Sequence, residues 1–294
     1  MGGIRSARRK CSIPHKVNPI MQILRTMKRC FLAALLFVGI IGASFPTVGQ
    51  TSQGSEPLVL SVPVLPLQLS ASGDRIFADL VKHNELRSAG LREYSAVRTY
   101  AVTDLNGKVH AKEIVQMDYI APDKKTFVTV TEEGSGVIRN LVLKRLMESE
   151  MSAAAGKERH DSSITPANYT FRVLNEDDLD NHHCFVVEAV PKRNDKYLFE
   201  GKIWIDSSEF AIVKIAGHPA KKLSFWITRA DFVRRYEKIG DFWLPASDET
   251  FVEVRLYGKK IFSIEHHINT VNGVTSTALV GQNPHEVEST THGN

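Results

Sequence analysis

The chain of 294 residues has 37 Lys and Arg against 33 Asp and Glu, and 43% of its residues are apolar. This apolar content supports a hydrophobic core and excludes disordered and collagen-like proteins. Residues 1–50 hold eight basic residues and no acidic one, so the remaining chain has 29 basic against 33 acidic residues. That remainder lacks the basic surface that nucleic-acid binding requires, and we predict no nucleic-acid partner.

The first fifty residues read as a secretory signal peptide with an over-long start. Met27-Lys28-Arg29 precedes sixteen uncharged residues, 30–45, and a basic segment before a short apolar run is typical of such signals. A membrane-spanning helix needs about 20 apolar residues, which is more than this run contains. We therefore expect an exported, periplasmic protein. The alternative is an uncleaved anchor in the inner membrane formed by residues 30–45.

A linker and a short helix are predicted next. Residues 51–72 are rich in Ser and Pro and have the composition of a linker. A helix is predicted to open at Ser72, because Ile76, Phe77 and Leu80 recur at the spacing of one helical face.

From residue 92 the apolar period changes to two, which indicates β-strands. The connections are short, so we predict antiparallel hairpin neighbours. One face of the first strand carries Tyr94, Ala96, Arg98, Tyr100 and Val102. The predicted strands are 92–103, 109–120, 125–131, 169–175, 183–190, 197–206, 210–217, 223–236, 242–255 and 260–271.

A second helix is predicted at about residues 137–155, after the third strand. Its apolar side is broad, and a helix of this kind in a soluble protein must cover another element. The residues of that side are Ile138, Leu141, Val142, Leu146 and Met147.

Histidine pairs are the first candidates for a metal site. His182-His183 and His266-His267 both lie on predicted strands, where neighbouring side chains point to opposite faces. Neither pair can therefore chelate through both rings, and zinc needs three or four ligands. We predict no metal site.

No other pattern points to catalysis. The sequence contains no nucleophile elbow, phosphate-binding loop or dinucleotide-binding glycine motif. Cys184 lies in an apolar run and is predicted to be a buried core residue. Asp177-Asp178 are predicted to lie in a solvated turn. We predict no enzyme activity and no cofactor, and an unrecognised hydrolase is the weakest of the alternatives.

Apolar residues occur on both faces of several predicted strands, which indicates a barrel, a sandwich or a sheet covered by helices. The polar outward face is predicted to include Lys202, Lys214, Arg229, Arg234, Glu253 and Arg255. An incomplete barrel leaves a lumen that binds apolar ligands. A fully packed core without a cavity is equally compatible with the pattern.

Two motifs resemble a known family. The segment Gly201-Lys-Ile-Trp204-Ile-Asp206, followed by an apolar strand, and the segment Gly240-Asp-Phe-Trp243-Leu-Pro245 are similar to hairpins of the outer-membrane lipoprotein-sorting (LolA/LolB-like) family. The resemblance covers residues 73–273, and residues 274–294 form a polar tail. Both motifs are structural rather than catalytic.

The resemblance implies a mainly β (α+β) protein: an incomplete antiparallel β-barrel of about ten strands, with helices covering its open side. It also implies a periplasmic carrier that shields lipid or lipoprotein acyl chains in a hydrophobic cavity. The alternative is a membrane-anchored envelope interaction or sensor module that uses the same half-barrel to bind a partner protein, such as an envelope membrane protein. The predicted lid and cavity residues are Ile76, Phe77, Leu80, Ile138, Leu141, Val142, Leu146 and Met147.

Overall fold

The computed structural model describes residues 65–154, 163–195, 197–223, 225 and 227–277. The predicted signal peptide, the first part of the predicted linker and the polar tail from residue 278 lie outside the described residues.

The described residues form two helices and eleven strands. In chain order these are α1 (Leu65–Gly90), β1 (Glu93–Asp104), β2 (Val109–Ile120), β3 (Lys124–Gly134), α2 (136–154), β4 (Tyr169–Leu179), β5 (His182–Pro191), β6 (Phe199–Asp206), β7 (Ile212–Pro219), β8 (Ile227–Ile239), β9 (Phe242–Val254), β10 (Gly258–Val271) and β11 (Val274–Thr275). All ten predicted strands are present, which confirms the period-two pattern as the main signal of this fold.

The sheet is antiparallel and open. Its strand order is β3-β2-β1-β10-β9-β8-β7-β6-β5-β4, with β11 added to β10. Each neighbour is the preceding or following strand of the chain except at the β1–β10 pair, which joins the two ends of the domain. The edge strands β3 and β4 do not pair with each other, and the chain between them contains α2. The predicted incomplete barrel with helices is therefore confirmed.

Helix α1 begins at Leu65, several residues before the predicted start at Ser72. Residues 65–72 are helical, although their composition predicted part of the linker. Pro66 lies in the first helical turn, where the missing N–H has no intrahelical partner to lose and the fixed φ suits the helix. A proline that suggested a linker is thus compatible with a helix start.

Helix α2 changes its winding along its length. An α-helical turn, Gly136–Ile138, is followed by a π-helical turn, Arg139–Leu143, and then by the α-helix Lys144–Ala154. Ser135 caps the first turn, because its hydroxyl accepts a hydrogen bond from the backbone N–H of Ile138 at 3.4 Å.

The predicted turn at Asp177-Asp178 is wrong. Both residues lie within β4, and the turn follows at Asp180 and Asn181, which have positive φ. Asp and Asn adopt this left-handed conformation more readily than most residues, which is why the chain reverses there.

Each helix covers one half of the concave side of the sheet. Ile76, Phe77 and Leu80 of α1 pack into a buried cluster with residues of β4 to β8. Leu143, Leu146 and Met147 of α2 pack into a second cluster with residues of β1, β2 and β10. The sheet therefore carries two separate buried clusters, one beneath each helix.

Candidate functional site

Seven of the eight predicted lid residues lie in or pack against these two clusters. The three from α1 are buried against β4 to β8. From α2, Leu146 and Met147 are buried, whereas Ile138, Leu141 and Val142 are half-buried. Ile138 and Val142 pack against the second cluster, whereas Leu141 belongs to neither cluster. The structure does not bring the residues of the two helices together around one space.

A pocket of about 230 Å³ lies elsewhere, at the end of α1. Arg87 and Ser88 of α1 line one side of it. The sheet contributes Tyr94, Tyr119, Lys125, Tyr236, Phe242 and Leu244. None of the eight predicted lid residues lines this pocket. The surface is largely aromatic and aliphatic, with one buried ammonium group, that of Lys125.

The second of the two motifs that resemble lipoprotein-sorting proteins lines this pocket with Phe242, Trp243, Leu244 and Pro245, and the first motif is linked to it through the turn after β6. Asp206 organises the turn after β6, since its carboxylate accepts hydrogen bonds from the backbone of Ser208 and Glu209 at 2.9 and 2.7 Å. Trp243 donates its indole N–H to the Glu209 carboxylate at 2.8 Å. Arg87 donates to the carbonyl oxygens of Glu209 and Phe210 at 3.0 and 2.8 Å. These bonds hold the end of α1 against the sheet.

Behind the pocket lies a buried charge network, which we define as six residues on the concave side. They are Arg98, Lys125, Glu150, Arg234, Asp248 and His266.

Sheet register explains how four members of the network meet. Arg98 on β1 is paired with His266 on β10, and Arg234 on β8 is paired with Asp248 on β9. The His266 ring lies 3.0 Å from the Asp248 carboxylate through Nε2, and Arg234 forms an ion pair with the other carboxylate oxygen. A row of titratable side chains, Arg98, His266, Asp248 and Arg234, therefore crosses four adjacent strands.

Helix α2 supplies the remaining carboxylate. Arg98 Nη1 donates to Glu150 Oε2 at 2.8 Å, and Lys125 Nζ lies 3.6 Å from the same oxygen. Among the described residues, Nε and Nη2 of Arg98, Oε1 of Glu150 and Nδ1 of His266 have no hydrogen-bond partner. The network ties α2 to the sheet and leaves buried donors unused.

Burial and neighbouring charges set the protonation of the network. Burial lowers the pKa of Lys125 to about 8 and also lowers the pKa of His266, which leaves that ring neutral at pH 7. Burial disfavours ionised Glu150 and Asp248, yet Arg98 holds the pKa of Glu150 below its usual value and Arg234 does the same for Asp248.

The network also corrects one sequence interpretation. Arg234, which was predicted on the outward polar face, is buried. Strand alternation places Arg229 and Arg234 on opposite faces, and only Arg229 is exposed. Charge alone was taken as a sign of exposure, and for Arg234 that was wrong.

The other sequence candidates occupy structural positions. Cys184 is buried as a free thiol, and burial raises its pKa to about 12, which disfavours the nucleophilic thiolate. His266 is buried and His267 is exposed, as the alternation predicted. Within the described part of the chain, no group of three His, Cys, Asp or Glu side chains has the arrangement of a metal site.

No protein-family model and no curated protein matches the chain. Among solved structures it is similar to an outer membrane lipoprotein-sorting protein domain from Vibrio parahaemolyticus, at 12% identity and a TM-score of 0.42, over 69% of this chain and 93% of that one.

Two further structures show a similar likeness. A DUF1329 family protein from Desulfovibrio piger matches at 14% identity and a TM-score of 0.34, over 70% of this chain and 98% of that one. A LolA superfamily protein from Nitrosomonas europaea matches at 8% identity and a TM-score of 0.31, over 66% and 90%. The family that the sequence resembles is thus among the matched structures. At such TM-scores no residue role is carried over.

The length and hydropathy of α1 and α2 bear on whether either helix spans a membrane. Neither α1 nor α2, within the residues described, is both long and apolar enough to cross a bilayer.

Proposed function

We propose that this protein is an exported, periplasmic carrier that shields the acyl chain of a lipid or lipoprotein within its half-barrel, without catalysis. The observation that carries the proposal is the pocket of about 230 Å³ between the end of α1 and the open sheet. Its aromatic and aliphatic lining suits an acyl chain, which gains about 0.8 kcal/mol for each buried CH₂ group.

The size of the pocket limits what it can hold with the helices in place. Pockets for small molecules span roughly 300–1,000 Å³, so this one admits a chain end rather than a whole lipid. A longer acyl chain would have to displace part of the packed interior. We assign that movement to α2, whose residues Ile138, Leu141, Val142, Leu146 and Met147 form the proposed lid.

The test is to identify co-purifying lipid. The full-length chain is expressed with its own leader in a Gram-negative host, purified without detergent, and analysed by native mass spectrometry and solvent extraction. Stoichiometric lipid or acylated peptide is expected. A clean protein mass, together with no binding of hydrophobic fluorescent probes, would overturn the carrier and favour the anchored interaction module.

Two variants separate pocket filling from general damage. Ser88→Trp places an indole at the pocket wall from an exposed helical position and should reduce lipid content. Ala89→Trp adds the same side chain one residue further along α1, where it does not line the pocket, and should leave lipid content unchanged. Equal lipid content in both variants would remove the pocket from the binding route.

The lid assignment has its own matched pair. Leu141→Asp adds a charge to the half-buried side of α2, whereas Asn140→Asp adds the same charge at an exposed neighbouring position. Lipid uptake should fall only in Leu141→Asp, with the sheet retained by circular dichroism. Unchanged uptake in Leu141→Asp would contradict the lid role of α2.

A further inference from the structure

The buried charge network has more positive than negative groups. Arg98, Lys125 and Arg234 are opposed by two carboxylates, those of Glu150 and Asp248. His266 adds no charge at neutral pH, because burial lowers its pKa. Buried charges are costly unless they are paired, so one cation in this network lacks a counter-charge of its own.

Lys125 is that cation. The two arginines each have a carboxylate within direct reach, Glu150 for Arg98 and Asp248 for Arg234. Lys125 shares Glu150 with Arg98, at 3.6 Å rather than at hydrogen-bond distance. An ammonium group has three donors, and this single longer contact leaves donors available.

The position of Lys125 shows that its ammonium group faces the pocket. Its side chain is 4% exposed, yet it forms part of the pocket wall. Tyr119 is its register partner on β2, and Tyr94 lies beside Tyr119 with the two rings 5.3 Å apart. The cation is therefore reached from the pocket rather than from the outer surface of the sheet.

A second set of donors belongs to Arg98, which contacts the same Glu150 oxygen as Lys125. The side chain of Arg98 is fully buried, and its Nε and Nη2 have no hydrogen-bond partner among the described residues. Leu91, Phe242 and Leu244 line the same pocket as Lys125. The pocket thus combines a cation, which suits an anion, with apolar side chains, which suit a hydrocarbon.

We infer that the pocket selects amphiphiles with an anionic oxygen head group, a carboxylate or a phosphate, which pairs with Lys125 while the apolar part lies against Leu91, Phe242 and Leu244. The inference rests on the proposed function, since it names the class of ligand that the carrier would take. Arg98 supports the site from behind through its unused N–H groups.

Ligands that differ only in the head group test this inference. Decanoate, decyl phosphate and decanol each displace 1-N-phenylnaphthylamine from the full-length, detergent-free protein at pH 7. Both anions are expected to bind about tenfold tighter than decanol or better, as a charged hydrogen bond in a buried site provides. Inorganic phosphate alone should not displace the probe, because it lacks the apolar part.

Variants of Lys125 assign the preference to this side chain. Lys125→Met should remove the advantage of the anions and leave decanol binding within about twofold of the unmodified protein. Lys124→Met, at the exposed neighbouring residue, should keep the advantage. Should Lys125→Met not fold, Lys125→Gln provides the same comparison with a polar end retained in the wall.

The outcomes are distinguishable. If no amphiphile displaces the probe and no lipid co-purifies, both the carrier and its head-group preference are overturned. If decanol binds as tightly as decanoate, the carrier stands and the anion site is wrong. Competition by inorganic phosphate alone would also overturn the inference, since it would show an anion site that does not require an amphiphile.

Discussion

Helices α1 and α2 cover the same sheet with different side chains. Beneath α1, the packed residues are apolar, from Phe77 and Leu80 on the helix to Phe199 and Ile203 on the sheet. Beneath α2, apolar residues are combined with a carboxylate, Glu150, that binds cations on the sheet. Burial of apolar area is non-directional and tolerant, whereas buried ion pairs depend on each partner being present. The α1 half therefore acts as a fixed wall, and the α2 half is the one that charge can change.

The largest expected effect on stability comes from removing one charge of the buried network. Asp248→Ala removes the carboxylate that serves both Arg234 and His266, and the free energy of unfolding should fall by about 3–5 kcal/mol. The double variant Arg234→Met/Asp248→Leu removes both charges and should cost far less, because no buried charge is left unpaired. Urea denaturation measures both, and equal losses in the two variants would contradict the role of charge pairing.

Breaking the apolar half should have a similar or smaller effect. Leu80→Ala leaves a cavity under α1 and should lower the free energy of unfolding by about 2–5 kcal/mol. Leu86→Ala, on the same helix but 65% exposed, should change it by less than about 0.5 kcal/mol. Thermal or urea unfolding compares the two, and a small loss for Leu80→Ala would mean that α1 is not a fixed wall.

Removal of the surplus cation should stabilise the charged half. The pKa of Lys125 is lowered from 10.5 to about 8 in the folded protein, so at pH 7 the charged ammonium costs up to about 3 kcal/mol. Lys125→Met should raise the free energy of unfolding at pH 7 by up to that amount.

The pH dependence of the free energy of unfolding shows whether this gain comes from the charge of Lys125. The folded protein holds its Lys125 proton less tightly than the unfolded chain, so stability is greatest above pH 10.5 and falls as the pH drops through 8. The gain from Lys125→Met should therefore shrink as the pH rises toward 10. Glu150, Arg98 and Arg234 face Lys125 and titrate outside this window. A gain that does not vary with pH would indicate packing rather than charge.

The smallest expected effect concerns His266. Burial lowers its pKa below 6.5, so the unfolded chain binds the proton more tightly, and stability is lost as the pH falls below 6.5. His266→Gln keeps a donor for Asp248 and should flatten this slope by about 1 kcal/mol per pH unit. The slope of unfolding free energy between pH 6.5 and 5 is the readout. An unchanged slope would assign the acid sensitivity to other groups.

Most of the fold follows from local patterns. Alternation identified all ten long strands, and apolar spacing identified both helices. Deviations occurred where local chemistry allows two structures, as at Pro66, which suits both a linker and the first turn of a helix. Asp177 and Asp178 gave a turn signal from composition, although the reversal needs the positive φ that Asp180 and Asn181 adopt.

Much less of the candidate site could be predicted from the sequence, because its residues are distant along the chain. Arg98 was placed on the same strand face as Tyr94 and Tyr100, but its charge was not interpreted, and Arg234 was predicted on the outward face. Their partners Glu150 and Asp248 could be assigned only with the helix position and the strand register. The pocket wall joins the end of α1 to six strands, β1, β2, β3, β7, β8 and β9, and no motif at one point of the sequence encodes such a surface.

The pairing of β1 with β10 has a consequence for how the chain acquires its structure. Each of the strands β4 to β9 pairs with the next strand along the chain. Hairpins of this kind form quickly because their contacts are local. The β1–β10 contact must close almost the whole domain, and the entropy of that loop is lost before the contact forms. Because Arg98 meets His266 across this seam, we expect the charged interior to remain hydrated until the final docking step. Pulse-labelling hydrogen exchange should show late protection of the amides that bond between β1 and β10, and earlier protection within the hairpins on either side.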